Sequence, residues 1–376
     1  VAPGFEEVAE AFAAGLESGE EAGGAFAAIA AGETIVDIWG GVRNRDVGAP
    51  WERDTLCGIF SGSKGVVATC VLMLVDRGLV SLDDRVATHW PDFAAKGKGD
   101  VLVSHILSHQ AGLPGIRRRV DLDEVPDSEL MVSLLASQEP FWPAGERLCY
   151  HPLTYGWLCG ELVRRVTGRS IGEFLRAEVA DPLGLDIWIG LPNALEPRVA
   201  DCFLDERWEG VPVDDPVGRI DLDDVADIWL NPDFFSAELP WNRADWRAAE
   251  IPGAGAIATA RSMADHYSIL ASGGSRGRVR ILGPDTIALG QQTLCRGVDP
   301  CDGEDVKVGA GWILQTAQHL LGPPDRAFGH GGAGGCIHGA WPDEEVGFSY
   351  VTNQMRDDED DDRGPNLLRT LHACLS

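Results

Sequence analysis

Lysine is scarce in this chain: of 31 basic residues in 376, only four are lysine, at positions 64, 96, 98 and 307. Tyrosine is equally rare, with four residues at 150, 155, 267 and 350. Positive charge is short overall, since 59 acidic side chains outnumber the basic ones and leave a net charge of −28. That balance excludes nucleic acid and anionic membrane surfaces as partners, because both repel an acidic protein. It reads as a solubilising, salt-tolerant surface; attraction of a cationic substrate would need that charge gathered around a site. No C-x-x-C pair occurs among the nine cysteines, which are odd in number and scattered. That excludes a disulfide framework or a zinc-ligand pattern and fits buried thiols in a reducing compartment. No stretch is long and apolar enough to span a bilayer. Residues 1–16 lack a basic start and an unbroken apolar run and carry Glu6, Glu7 and Glu10, so a signal peptide is not expected and the cytoplasm is. Internal repeats are absent.

What is present is enough apolar sequence for a large core, 44% of the residues, in two lobes or one domain with an insertion. Phe5, Val8, Phe12 and Leu16 recur at helical spacing. Residues 25–30 and 34–39 read as strands joined at Ala31-Gly32-Glu33. A helix beginning at Ser61 has an apolar face of Val67, Val71 and Leu74 and ends at Gly78. Helices are expected over 128–137, 153–166, 171–179, 262–272 and 365–374, and strands over 309–316, 326–330 and 346–353. Residues 204–247 have weak periodicity and read as a loop or lid. The acidic run Asp357–Asp362 reads as a solvated loop, because it lacks the ligand spacing of a calcium-binding loop. Strands at both ends with helices between predict a sheet domain made of residues 1–80 and 251–376, and a mainly helical domain, 81–250, inserted into it.

Three motifs carry chemistry. In Ser61-Gly62-Ser63-Lys64 the serine and lysine lie one helical turn apart, so hydroxyl and ammonium share a face. A serine needs a base to become a nucleophile, and lysine becomes that base when burial lowers its pKa. The chain keeps a lysine here although it prefers arginine elsewhere. The second motif is Tyr150, in Pro143-Ala144-Gly145 through His151-Pro152. A phenolate beside a lysine can accept the serine proton and return it to a leaving group, although a core tyrosine bonded to backbone is the plain alternative. Tyr155 reads as the packing tyrosine. The third is the glycine-rich stretch Phe328-Gly329-His330-Gly331-Gly332-Ala333-Gly334-Gly335, where substrate can approach the backbone and an N–H can join that of Ser61 as an oxyanion hole.

In this order the three motifs resemble those of serine β-lactamase-like proteins, and most of all the branch of class C β-lactamases and family VIII carboxylesterases. The segments Arg77–Asp84, Val103–Pro114 and Gly253–Ala260 are similar to further segments of that family, so the resemblance runs from about residue 25 to 355. It implies an α+β fold, an antiparallel sheet flanked by helices with an inserted mainly helical domain and the site in the cleft between. It also implies Ser61 as nucleophile, Lys64 and Tyr150 as the proton-handling pair, and the N–H groups of Ser61 and Ala333 as the oxyanion hole. Two departures narrow the chemistry. Tyr150-His151-Pro152 stands where the lactamases have Tyr-x-Asn, and His330-Gly331-Gly332 stands where they have Lys-Thr-Gly. An amide and a cation for gripping lactams are thus missing, and His330 is expected to be uncharged at neutral pH. Ser63 does not lie in the G-x-S-x-G of α/β-hydrolases, since Ser61 rather than glycine stands two residues before it, and it reads as a helix-start hydroxyl near the site.

The expectation is a serine esterase acting on small-molecule carboxylic esters through an acyl-enzyme, with no cofactor or metal and with oligomerisation open. His330, Gly331, Gly332 and Trp312 are the expected substrate contacts; Trp142, Trp157 and Trp341 also flank the motifs, although core packing explains any tryptophan equally well. The alternatives are an acyl transfer enzyme using an amine or alcohol acceptor, residual β-lactamase or D-aminopeptidase activity, and a non-catalytic ligand-binding relative.

Overall fold

Alternation along the first strand sends Phe26 and Ala28 to one layer and Ala27 and Ile29 to another, and all four are buried. A strand covered on both sides belongs inside a sheet with layers above and below it. The computed structural model describes residues 1–208, 231–236, 239–301, 303–356 and 361–375, and has that arrangement. Its main sheet has nine strands: β1 (Gly23–Ala30), β2 (Glu33–Asn44), β3 (Ala49–Pro50), β4 (Cys295–Val298), β5 (Asp305–Val308), β6 (Ile313–Leu314), β7 (Phe328–Gly332), β8 (Cys336–Trp341) and β9 (Val346–Thr352). They stand in the order β4-β5-β6-β7-β8-β9-β1-β2-β3, all pairs antiparallel. β1 lies beside β9, with Gly24 opposite Thr352 and Ala30 opposite Val346, so segments far apart in the chain meet in one sheet. The fold class is the expected α+β one.

Among the described residues six α-helices reach ten residues: α1 (Glu6–Ser18), α2 (Gly62–Asp76), α3 (Ser128–Ser137), α4 (Thr154–Thr167), α5 (Ala260–Ala271) and α6 (Arg363–Leu375). On one face of the sheet Val8 and Phe12 of α1 and Leu367, Leu368 and Leu371 of α6 pack on Phe26, Trp341 and Phe348. The other face carries α2 and α5. A Cβ at Gly347 would lie 2.0 Å from the Ser268 nitrogen, so α5 rests backbone to backbone on β9. Every residue from Gly62 to Leu74 is buried, so α2 is enclosed on all sides and the single apolar face expected for it is corrected. A helix that is apolar all round is one that lies inside the protein. A three-stranded sheet, with Ala256–Ala258 between Cys57–Gly58 and Ile187–Ile189, pins the chain just before α2.

Strands β4, β5 and β8 have no counterpart among the expected elements. β8 is buried on both faces apart from Ile337, which removes the polar–apolar alternation that marks a strand in sequence. The strand expected over 309–316 shrinks to Ile313–Leu314, because Gly311 turns the chain with φ of 89°. The helix expected over 171–179 is α-helical for Ile171–Leu175 and continues as a π turn, Arg176–Ala180. The supposed lid is described only in part. Phe203–Leu204 pairs with Gln354–Met355, and Ala244–Ala248 is a helix, while residues 209–230, 237 and 238 lie outside the described residues. Residues 357–360 of the acidic run also lie outside them; Asp361 and Asp362 are ion-paired with Arg363 and Arg369.

Candidate active site

The chain enters α2 through a tight turn in which Phe60 has a φ of 45°, a left-handed conformation that a bulky side chain adopts only when its surroundings impose it. The N–H groups of Gly62, Ser63 and Lys64 donate to the carbonyls of Ile59, Phe60 and Ser61, each at 2.9 Å. Among the described residues the Ser61 N–H has no acceptor. Ser61, the residue just before α2, is half-buried at the mouth of this buried helix. Ser63 plays another part than the one expected. It is fully buried, donates to the Phe60 carbonyl and accepts the Ala256 N–H at 2.9 Å, so it ties the turn to the small sheet.

Lys64 Nζ lies 3.1 Å from Ser61 Oγ and donates to the Gly253 carbonyl at 2.7 Å. Complete burial pushes its pKa well below the ordinary lysine value. The burial thus favours the uncharged amine over the ammonium. The Gly253 carbonyl is a site group that the sequence did not reveal, since a main-chain acceptor leaves no residue signature. Two glycines let it approach: a Cβ at Gly156, in the first turn of α4, would fall 1.9 Å from the Gly253 nitrogen, and one at Gly253 would fall 2.5 Å from the Leu153 oxygen. Gly156→Ala is therefore expected to push residue 253 off Lys64. Stability should fall by about 2–3 kcal/mol, as for overpacked cores, and turnover should fall with it, as checked by urea unfolding and esterase kinetics.

Tyr150 comes from the segment before α4, and the Lys64 nitrogen lies 4.6 Å from the centre of its ring. The ring is flanked by His109, centroid distance 4.7 Å, and by His330 at 6.2 Å. His109 has a φ of 59° and holds the segment on both sides of Tyr150: its carbonyl accepts the Cys149 N–H at 3.1 Å and its Nδ1 accepts the His151 N–H at 3.2 Å. His151 Nε2 accepts the Leu113 N–H, which puts its proton on Nδ1, where it donates to the Cys149 carbonyl at 2.6 Å. Burial holds His151 down to about 4 and His109 well below the usual imidazole value, so both are neutral scaffolding. Neither was expected at the site. His109 stood in a segment noted only for its resemblance, and nothing in its spacing to Tyr150 says that the two meet.

β7 brings His330 to the same place. It is buried, with Nδ1 2.7 Å from the Gly331 carbonyl, and among the described residues Nε2 has no partner. Burial, reinforced by the nearby Lys64, holds its pKa down to about 3, which agrees with the expected neutral imidazole. A Cβ at Gly332 would lie 2.3 Å from the Ile59 oxygen, so the end of β7 runs against the turn that carries Ser61. The Ala333 N–H, next along, has no acceptor among the described residues. Gly331 is exposed, and a side chain there would meet nothing closer than 3.7 Å.

Trp312 departs from expectation. It is fully buried, its indole N–H donates to the Gly65 carbonyl at 3.1 Å, and its ring stacks near Phe328 at 4.7 Å. It props α2 from within the core and presents no surface to a substrate. Trp341 lies across the sheet with α1 and α6, and Trp142 and Trp157 are buried.

A serine with a buried lysine one turn on, opening a helix packed on the face of an antiparallel sheet, is the arrangement of serine β-lactamase-like proteins. The chain belongs to the Beta-lactamase family, whose model matches residues 8–372. It is 33% identical over 361 residues to the esterase/beta-lactamase LipL of Mycobacterium tuberculosis, covering 94% of this chain and 82% of that one. It is similar in structure to a family VIII carboxylesterase, with a TM-score of 0.91 and 37% identity over all of this chain and 98% of the other. A penicillin-binding protein homologue from Caulobacter crescentus gives a TM-score of 0.89 and 36% identity with the same coverage.

Proposed function

We propose that the protein is a serine carboxylesterase that cleaves small-molecule esters through an acyl-enzyme on Ser61. The observation that carries this reading is the buried Lys64 amine, 3.1 Å from Ser61 Oγ and anchored by the Gly253 carbonyl. Ser61 Oγ attacks the ester carbonyl and its proton passes to the Lys64–Tyr150 pair. The N–H groups of Ser61 and Ala333 receive the oxyanion. Tyr150 protonates the departing alkoxide, then takes a proton from the water that releases the acid. His330, Gly331 and Gly332 contact the substrate. Pro152 and a neutral His330 stand where a lactamase has an amide and a cation, and an alkoxide leaves more readily than an amine, which together favour esters over lactams and amides.

The site draws Ser61, Lys64 and Ala333 from the unit formed by residues 1–80 and 251–376, and Tyr150 from the 81–250 unit, with the cleft between them. We place the protein in the cytoplasm, a reading supported by nine cysteines of which none is in a disulfide. No described helix is long and apolar enough to cross a membrane. The test is a panel of p-nitrophenyl acetate, p-nitrophenyl butyrate and nitrocefin. Ester turnover should far exceed nitrocefin turnover, and Tyr150→Phe should lower kcat on the esters by about 10²-fold or more, the usual worth of a positioned proton donor. Rapid nitrocefin hydrolysis with negligible ester cleavage would replace this reading with a lactamase.

A further inference from the structure

Cys149 and Cys301 stand 152 residues apart in the chain, yet their sulfur atoms are 3.0 Å apart. Cys149 is buried and directly precedes Tyr150, whereas Cys301 is only partly buried. Cys301 lies in the turn after β4, the edge strand of the main sheet, so a small shift there disturbs few neighbours. The same turn grips the main chain of Tyr150. The buried Asp299 carboxylate accepts its N–H, and the Cys301 thiol donates to its carbonyl at 3.8 Å. Asp299 also accepts the Cys301 N–H at 2.9 Å, which fixes the thiol in this position.

We propose that Cys149 and Cys301 form a reversible disulfide that displaces Tyr150 and slows turnover. The oxidant is a small-molecule disulfide such as oxidised glutathione. The Cys301 thiolate attacks one of its sulfurs and releases one glutathione thiol; the Cys149 thiolate then displaces the second. Each protein thiol gives up one proton, and the pair passes two electrons to the glutathione disulfide. The two sulfurs must then close from 3.0 Å to about 2.05 Å. The bond also removes the thiol hydrogen donated to the Tyr150 carbonyl and tethers the residue before Tyr150 to the β4–β5 turn. In a reducing compartment such a bond is transient, which suits a switch. The carboxylate and the two thiols lie within 4.8 Å of one another and also form a set that a thiophilic divalent ion could use. The sulfurs are nonetheless closer than the roughly 3.8 Å that two 2.3 Å bonds to a tetrahedral zinc would impose, so the geometry favours the disulfide.

The kinetic part of the proposal rests on the role given to Tyr150, whereas the cross-link does not. The full chain is treated with oxidised glutathione, digested with trypsin and analysed by mass spectrometry without reduction. A peptide joining residues 148–164 to 297–307 is expected, absent from Cys149→Ser and Cys301→Ser and still formed in Tyr150→Phe. Oxidised wild type should show kcat lowered by about 10²-fold with a smaller change in KM, in keeping with the cost of misplacing a reacting group. Dithiothreitol should restore it, and Cys301→Ser should not respond to the oxidant. Absence of the cross-linked peptide, or a cross-link with unchanged kcat, would overturn the proposal. So would stoichiometric zinc held by the wild type, lost in Cys301→Ser and blocking the cross-link.

Discussion

Replacing Ser61 with alanine is expected to lower kcat/KM for p-nitrophenyl butyrate by about 10⁴-fold or more while leaving the protein folded. Loss of the nucleophile removes the covalent route, and what remains is the modest rate that an oxyanion hole and binding alone provide. The fold should survive because Ser61 has ordinary helical dihedrals, φ −62° and ψ −14°, and its side chain caps nothing. Its hydroxyl meets Lys64, and an alanine methyl fits where that hydroxyl stands at the half-buried mouth of the helix. A serine-reactive phosphonate gives the second readout. Mass spectrometry should find the adduct on Ser61 in the wild type and none in Ser61→Ala. Undiminished ester turnover in the variant, or an adduct on another residue, would remove Ser61 from the mechanism.

Substitution of Lys64 by methionine should cost about 10³-fold in turnover, within the usual range for a proton-transfer group, without lowering the melting temperature. Burial depresses the Lys64 pKa in the folded protein, so between that value and the ordinary lysine value the unfolded chain binds a proton that the folded chain does not. Stability therefore rises with pH across that window, and Lys64 weighs against folding below it. Methionine removes that burden, at the cost of the donor that Lys64 gives the Gly253 carbonyl. The melting temperature of Lys64→Met relative to wild type should accordingly increase as pH is lowered from the alkaline end. In the wild type kcat/KM should rise with pH as the amine loses its proton. His330, held down to about 3, sets no limb of that profile near neutrality. Lys64→Arg should be as inactive as the methionine variant, because a guanidinium does not give up its proton. An active arginine variant, or a clear drop in melting temperature for Lys64→Met at neutral pH, would contradict the assignment of Lys64 as a buried neutral base.

The parts of the site that could be read along the chain are those whose chemistry depends on local spacing. Ser61 and Lys64 sit one helical turn apart, so once residues 62–76 form a helix their side chains must be neighbours. Tyr150 stood out because tyrosine is scarce and because it follows Pro143-Ala144-Gly145, and His330 because it lies in a glycine-rich run. Other groups gave no such signal. The Gly253 carbonyl that anchors Lys64 is a main-chain atom 189 residues away. Trp312, beside a glycine-rich strand, had the appearance of a pocket wall and is a core residue bonded to α2. His109 and His151, which hold Tyr150 in place, look like any buried histidines until their hydrogen bonds are seen. Strand β8 was invisible because burial of both faces erased the alternation by which a strand is recognised.

By itself, then, the sequence determined the family architecture, the serine–lysine pair and the absence of the lactam-gripping residues, since each is a matter of residue type at a short, fixed spacing. Only the tertiary structure decided the state of those residues. The Lys64 amine is pushed well below its ordinary pKa because α2 is enclosed on every side, and burial on β7 holds His330 down to about 3. Cys149 and Cys301, scattered in the sequence, become neighbours because the β4–β5 turn folds against the segment that carries Tyr150. Burial and long-range proximity are properties of the packed chain, so no local pattern records them.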